Sequence, residues 1–281
     1  MTTKKGFSPA FRLEAMVLTL ALLTLAACGG GGGGDGGGGG SSSIEQTGTP
    51  LALEAGQVQI DHGGFKLVYD CVERSAVRYD YTLGFDTGIL ARPSAFTVES
   101  QLPSGCPAQT NTASYSSVWP GYDRGHLVTS NHMDGNAAWL LAANHMSNIV
   151  PQVSTFNQGL WLEVENVAEC YRDLAPVRVI GGVIYNDAGN DHFLASHGVR
   201  TPDLFWKLIV TTDAANGAPL AIAWLMPNNF VLNALDTYLV SVAQLEQVVG
   251  ASRVAAPALP TAVRNQRPAK TWALPAGCNL S

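Results

Sequence analysis

Charge is scarce in this chain. Asp, Glu, Lys and Arg make up 14% of its 281 residues, and 16 basic residues face 22 acidic ones, a formal net charge of −6. That balance excludes a protein that coats nucleic acid through a broadly basic surface. If the chain handles a polyanion, a local site must work against the overall field. Cysteine is also sparse, at five residues with no CxxC spacing among them, which argues against a cysteine-built zinc site. No uninterrupted apolar run reaches the roughly 20 residues of a membrane-spanning helix. Internal repeats are absent, and so is a second low-complexity linker beyond the first. The hydrophobic share of 46% excludes global disorder.

What is present begins with a targeting pattern. Lys4, Lys5 and Arg12 precede an uncharged apolar stretch from Met16 to Ala27, too short to span a bilayer but suited to the h-region of a signal peptide. It ends in Leu25-Ala26-Ala27-Cys28, which resembles the lipobox of bacterial lipoproteins. The expectation is a signal peptide over 1–27, then a lipidated Cys28 with a Gly/Ser-rich tether over 28–43, and a folded domain over 44–281. Of the 30 glycines, 11 fall between Gly29 and Gly40. Such a tether spans roughly 20 Å without fixing orientation. Gly at position 29, rather than Asp, favours the outer membrane, facing periplasm or cell exterior. Without residues 1–27 the chain keeps 13 basic and 21 acidic residues, net −8, so the membrane contact expected is the lipid and not a basic surface. Cys71, Cys106, Cys170 and Cys278 then form an even set, and export predicts two disulfides whose pairing the sequence leaves open.

The remainder reads as one α+β domain. Apolar runs over 178–185, 204–211 and 220–226 predict strands, the last two joined by a turn at Asn216-Gly217. Alternation over 77–83 predicts a half-buried strand. Helical spacing recurs over 154–171, over 242–249 with Ser241 as cap and Gly250 as stop, and over 136–145. Their irregular alternation argues against a doubly wound sheet.

The stretch Tyr122-Asp123-Arg124-Gly125-His126-Leu127 concentrates chemistry. In an extended strand Arg124 and His126 share a face, pairing a phosphate-binding fork with a base, and Gly125 permits a close approach. Downstream, Asn157 and Glu165 lie eight residues apart on the predicted helix. Asn157 can offer an amide oxygen to a hard cation, and Glu165 can reach that cation's water shell better than the ion. His62, His192 and His197 read as structural. His132 and His145 flank the motif without neighbouring Arg and Asp and receive no role. Trp161 reads as core.

The string DRGH, followed by SNIVPQ over 147–152 and NQGLWLEVE over 157–165, resembles the DNA/RNA non-specific endonuclease family. The resemblance covers most of the domain and rests on three blocks in order. It implies a ββα-metal nuclease core with a mixed, largely antiparallel sheet flanked by helices. It implies a metal-dependent hydrolase of DNA and RNA phosphodiesters that leaves 5′-phosphate and 3′-hydroxyl ends. Carried over by position, His126 is the general base and Asn157 the direct ligand of Mg²⁺, with Mn²⁺ as substitute. Glu165 acts through the cation's water, Asn148 positions His126 or the phosphate, and Arg124 stabilises the phosphate's charge. Asp123 supports the site, and Arg92, four residues before Phe96, is a further phosphate ligand. Local positive charge in the cleft would come from the cation and Arg124, joined by Arg92, Arg172 and Lys207. Two rivals stay open: a surface-binding lipoprotein on an inactive nuclease scaffold, and a phosphodiesterase for another substrate. Homodimerisation is undetermined.

Overall fold

The computed structural model describes residues 48–280, so the expected signal peptide, Cys28 and the tether lie outside the described residues. Among the described residues seven strands form one antiparallel sheet in the order β1-β2-β3-β6-β7-β8-β9. They are β1 (Gln57–Asp61), β2 (Phe65–Asp70), β3 (Ser75–Leu83), β6 (Val177–Ile184), β7 (Leu204–Thr212), β8 (Pro219–Pro227) and β9 (Leu239–Val240). A separate antiparallel pair joins β4 (Tyr122–His126) to β5 (Ile149–Val153). The fold is therefore α+β with a largely antiparallel sheet, as the sequence predicts.

The apolar runs have a physical cause. Both faces of the sheet are covered, so its central strands lack the polar alternation of a half-solvated sheet. On β7, Phe205 and Ile209 join the large core beneath β4, β5 and the long helix, whereas Trp206 and Leu208 join a smaller core under Val242, Leu245 and Val249. Side chains alternate between faces along a strand, so Lys207 falls on the side of the large core. The β7–β8 turn lies where Asn216-Gly217 predicts it, with Gly217 at φ +71°. The predicted strand over 77–83 is β3, extended by two residues at its start.

Three helices match the sequence reading. α1 (Ala137–Ala143) is capped by Asn136, whose side chain accepts from the Ala138 and Trp139 amides. α2 continues β5 as one rod in three parts, Ser154–Phe156, Asn157–Trp161 and Leu162–Arg172. α3 (Val242–Val249) starts in a reciprocal capping box between Ser241 and Gln244. The disulfides are Cys71–Cys106 and Cys170–Cys278, which resolves the pairing the sequence left open.

Candidate active site

β4, β5 and α2 make the local scaffold. Arg124, Gly125 and His126 lie opposite Pro151, Val150 and Ile149. A Cβ on Gly125 would sit 2.2 Å from Gln152 Oε1, so glycine here makes room for the buried Gln152 side chain rather than for a substrate. β5 runs directly into α2, which is not uniform. Its Asn157–Trp161 segment is a widened π turn kinked at Gly159. Inserted π turns interrupt the regular azimuthal advance of an α-helix. Asn157 and Glu165, about 80° apart on an unbroken helix, both line one cleft of ≈ 680 Å³ together with Arg92, Arg124 and His126. Trp161, buried in the core, clamps α2 to β4 by donating from Nε1 to the His126 carbonyl at 3.2 Å.

His126 is 7% exposed, and its ring is fixed by a residue the sequence reading missed. Asn144 donates its amide nitrogen to the Pro93 and Ala95 carbonyls, at 2.8 and 3.0 Å. Its oxygen is thereby the atom facing His126 Nε2, at 2.9 Å. Nε2 must carry the proton, and Nδ1 is left with the lone pair. Burial, reinforced by the Arg92 charge, pulls the His126 pKa down to about 4, so the ring is neutral in ordinary buffers. No spacing rule flags Asn144. The only signal was a polar residue four positions before Asn148 in a mostly apolar stretch.

Asp123 holds the start of α2. It accepts from Ser154 Oγ at 2.7 Å, Asn157 Nδ2 at 2.9 Å and Gln158 Nε2 at 2.8 Å. Despite burial, these three donors hold its carboxyl below the usual range. With the Asn157 nitrogen committed to Asp123, the amide oxygen points away from that carboxylate. Glu165 lines the same cleft, with Oε1 3.9 Å from Lys207 Nζ. Burial pushes the Glu165 carboxyl up and the Lys207 ammonium down to about 8, each opposed by the other's charge. An amide oxygen and a carboxylate are hard donors, too few to strip a cation of its water, and they fit Mg²⁺ or Mn²⁺.

Arg92 and Arg124 supply the positive rim. Arg92 Nη2 lies 3.3 Å from His126 Nδ1. The Arg124 guanidinium sits 3.8 Å over the Phe96 ring and donates to the Thr112 carbonyl at 2.9 Å, so it is not spent on Asp123. Two expected contributors fall elsewhere. Lys207 is fully buried beneath the cleft, stacked 4.0 Å from the Trp161 ring. Arg172 is bound to Glu169, Asp86 and the Gly84 carbonyl. Each is matched to acids and presents no free charge to a phosphate. Asn148 is fully buried, bridging the Val128 backbone to the Ala143 carbonyl, so it braces the loop two residues past His126 and does not reach a ligand. Of the flanking histidines, His132 lines the cleft floor between Tyr81 and Glu169. His145 belongs to a different cluster with His62 and Glu99. Asn279 and Leu280 border the cleft, next to the Cys278 that is bonded to α2.

The DNA/RNA non-specific endonuclease family matches residues 41–260, well over half of the chain. Mitochondrial endonuclease G of Homo sapiens is 26% identical over 141 residues, 46% of this chain and 47% of that protein. The Bos taurus enzyme matches to the same extent. The chain thus spans about half the length of these curated relatives. Among solved structures, a chain of the EndoG/EndoGI complex, solved to explain EndoG inhibition, aligns with a TM-score of 0.51 at 19% identity. The alignment covers 69% of this chain and 86% of that one.

Proposed function

The chain belongs to the DNA/RNA non-specific endonuclease family, and from that premise we propose that it is a metal-dependent endonuclease hydrolysing phosphodiester bonds of both DNA and RNA. The observation that carries this reading is the convergence of His126, Asn157, Glu165, Arg92 and Arg124 on one cleft. An inactive binding scaffold would have no need of a buried, neutral imidazole held in a single tautomer.

In this reading the substrate phosphate draws the two guanidiniums. Arg92 is held to His126 only by a long contact, and phosphate oxygens are stronger acceptors than an imidazole nitrogen. Its departure frees Nδ1 to take a proton from the attacking water. Nε2–H stays hydrogen-bonded to the Asn144 oxygen, whose dipole then stabilises the imidazolium. Arg124, supported on the Phe96 face, stabilises the charge that builds on the phosphate. Asn157 would ligate Mg²⁺ through its amide oxygen, with Glu165 holding the ion's water shell; when bound, the ion neutralises phosphate charge and assists the leaving oxygen. Asp123 is a positioning residue that presents the Asn157 oxygen. The products would carry 5′-phosphate and 3′-hydroxyl ends. Backbone contacts dominate such a site, so little sequence preference and strong salt sensitivity follow.

We also propose that the chain is exported and held to a bacterial membrane, the outer one, through lipidated Cys28. The support is the charge, length and Leu-Ala-Ala-Cys pattern of the N-terminal segment. Nuclease activity is tested by incubating supercoiled plasmid and single-stranded RNA with the protein in Mg²⁺, in EDTA, and with His126→Ala. Cleavage of both substrates that vanishes with EDTA and with the variant is the expected result. Cleavage that survives the variant would remove His126 as base. A folded wild type inert with Mg²⁺ and Mn²⁺ at low salt would favour the binding scaffold. Globomycin-sensitive processing and loss of membrane association in Cys28→Ser test the anchor.

A further inference from the structure

We propose that His62, Glu99 and His145 form a second metal site, distinct from the nuclease cleft, which binds one divalent cation of the zinc class. The residues come from three separate segments. His62 follows β1, and His145 follows α1. Glu99 lies two residues past Thr97, whose backbone bridges to His145. Their donor atoms all lie within 4.8 Å of one another. Glu99 Oε2 is 3.3 Å from His62 Nε2 and 3.2 Å from His145 Nδ1. Ligands about 2.0–2.1 Å from a tetrahedral ion stand about 3.3 Å apart. Two edges of the cluster therefore already have the length a bound zinc ion requires.

Burial points the same way. The His62 and Glu99 side chains are each 1% exposed, while His145 is 22% exposed. Three protein ligands with one side open to water is a four-coordinate arrangement in which the solvent supplies the last ligand. His62 Nε2 is the telling atom. It is buried and makes no hydrogen bond, although Glu99 Oε2 is its neighbour. For a buried polar atom, a 3.3 Å ion-pair contact without good hydrogen-bond geometry is uncommon and leaves room for a better partner. A cation accepting its lone pair is one.

The outer partners fit as well. Ser147 Oγ donates to Glu99 Oε2 at 2.7 Å, and the Gln101 amide to Oε1 at 2.8 Å. The Gln101 side-chain amide stands 3.3 Å from His62 Nδ1, where its oxygen, once turned inward, accepts that N–H. Metal-bound imidazoles and carboxylates are commonly hydrogen-bonded by outer groups in this way. Two imidazoles and one carboxylate favour zinc over magnesium, so the ion differs in class from the one proposed for the cleft. The site would staple the β1–β2 turn to the segment carrying Arg92 and Phe96, and to the residue after Asn144, without touching substrate.

The test reads metal, not cleavage, so it is independent of the proposed activity. The full chain carrying Cys28→Ser, which removes a competing thiol, is stripped with chelator. It is then titrated with Zn²⁺ against a chromophoric competitor in excess Mg²⁺. The expected result is one zinc ion per chain, kept in Asn157→Ala and His126→Ala. Glu99→Gln and His145→Ala should lose affinity by more than the roughly 10–100-fold that a missing outer partner costs. His145 is partly exposed, so its variant keeps the fold, checked by circular dichroism, even where Glu99→Gln does not. No stoichiometric uptake by the parent chain would overturn the proposal. So would uptake unchanged in folded His145→Ala, or uptake abolished by Asn157→Ala.

Discussion

Asn144 allows His126 one tautomer: its amide nitrogen is engaged by two backbone carbonyls, so only its oxygen can meet Nε2, at 2.9 Å. Asn144→Ala should lower kcat by about 10–100-fold, the scale of losing an orienting partner. His126→Ala should cost about 10²–10⁴-fold, the usual contribution of a general base. The Asn144 hydrogen bond also raises the His126 pKa against burial. The acid limb of kcat/KM should therefore move lower in Asn144→Ala, which mere loosening of the loop would not produce.

The pH profile of the proposed activity follows from the same ring. A free imidazole titrates near 6.5, so an exposed base would lose activity below about that pH. His126 titrates at about 4, and activity should persist in acid until pH falls toward that value. Stability follows the same sign. The unfolded histidine takes up its proton at about 6.5 and the folded one only near 4. The contribution is complete above the first value and is lost as pH falls through the second. Urea midpoints measured from pH 7 down to 4 should fall less steeply in His126→Ala.

Asp123 sets the direction of the Asn157 amide. Asp123→Asn leaves the size unchanged but removes the charge that attracts the amide nitrogen. The Mg²⁺ concentration for half-maximal activity should rise by about 10–100-fold, with kcat largely recovered at saturating Mg²⁺. A fall in kcat that no Mg²⁺ concentration restores would place Asp123 in the chemistry itself.

Lys207, buried beneath the cleft, pairs with Glu165 in the cleft wall. Lys207→Met strands the carboxylate and should destabilise the fold by about 3–5 kcal/mol. Adding Glu165→Gln should return much of that stability while leaving the enzyme inactive. Chemical denaturation of the two single variants and the double variant gives the coupling directly.

The sequence made legible the features that act locally. β6, β7, β8, the Ser241 cap and the Asn216-Gly217 turn were visible because periodicity and turn chemistry are short-range. DRGH with Asn157 and Glu165 was visible because their order survives in one stretch of chain. Missing were β1 and β2, whose mixed residues form strands only through pairing with β3. Missing too was Asn144, whose role depends on carbonyls about 50 residues away. Lys207 and Arg172 were read by charge alone, and burial reversed their meaning. His62 read as structural for the same reason: its partners Glu99 and His145 are brought together only by tertiary folding.

The Cys170–Cys278 bond closes a loop of 108 residues that contains β6 to β9 and the exposed segment around Val231. Exposed loop tips are where proteases cut first. A single cut there would not separate the fragments. The downstream piece, which carries β9, would stay covalently attached to the helix bearing Glu165. Such a clipped molecule would run as one band on a gel without reductant and as two with it, a two-chain protein joined by one covalent link.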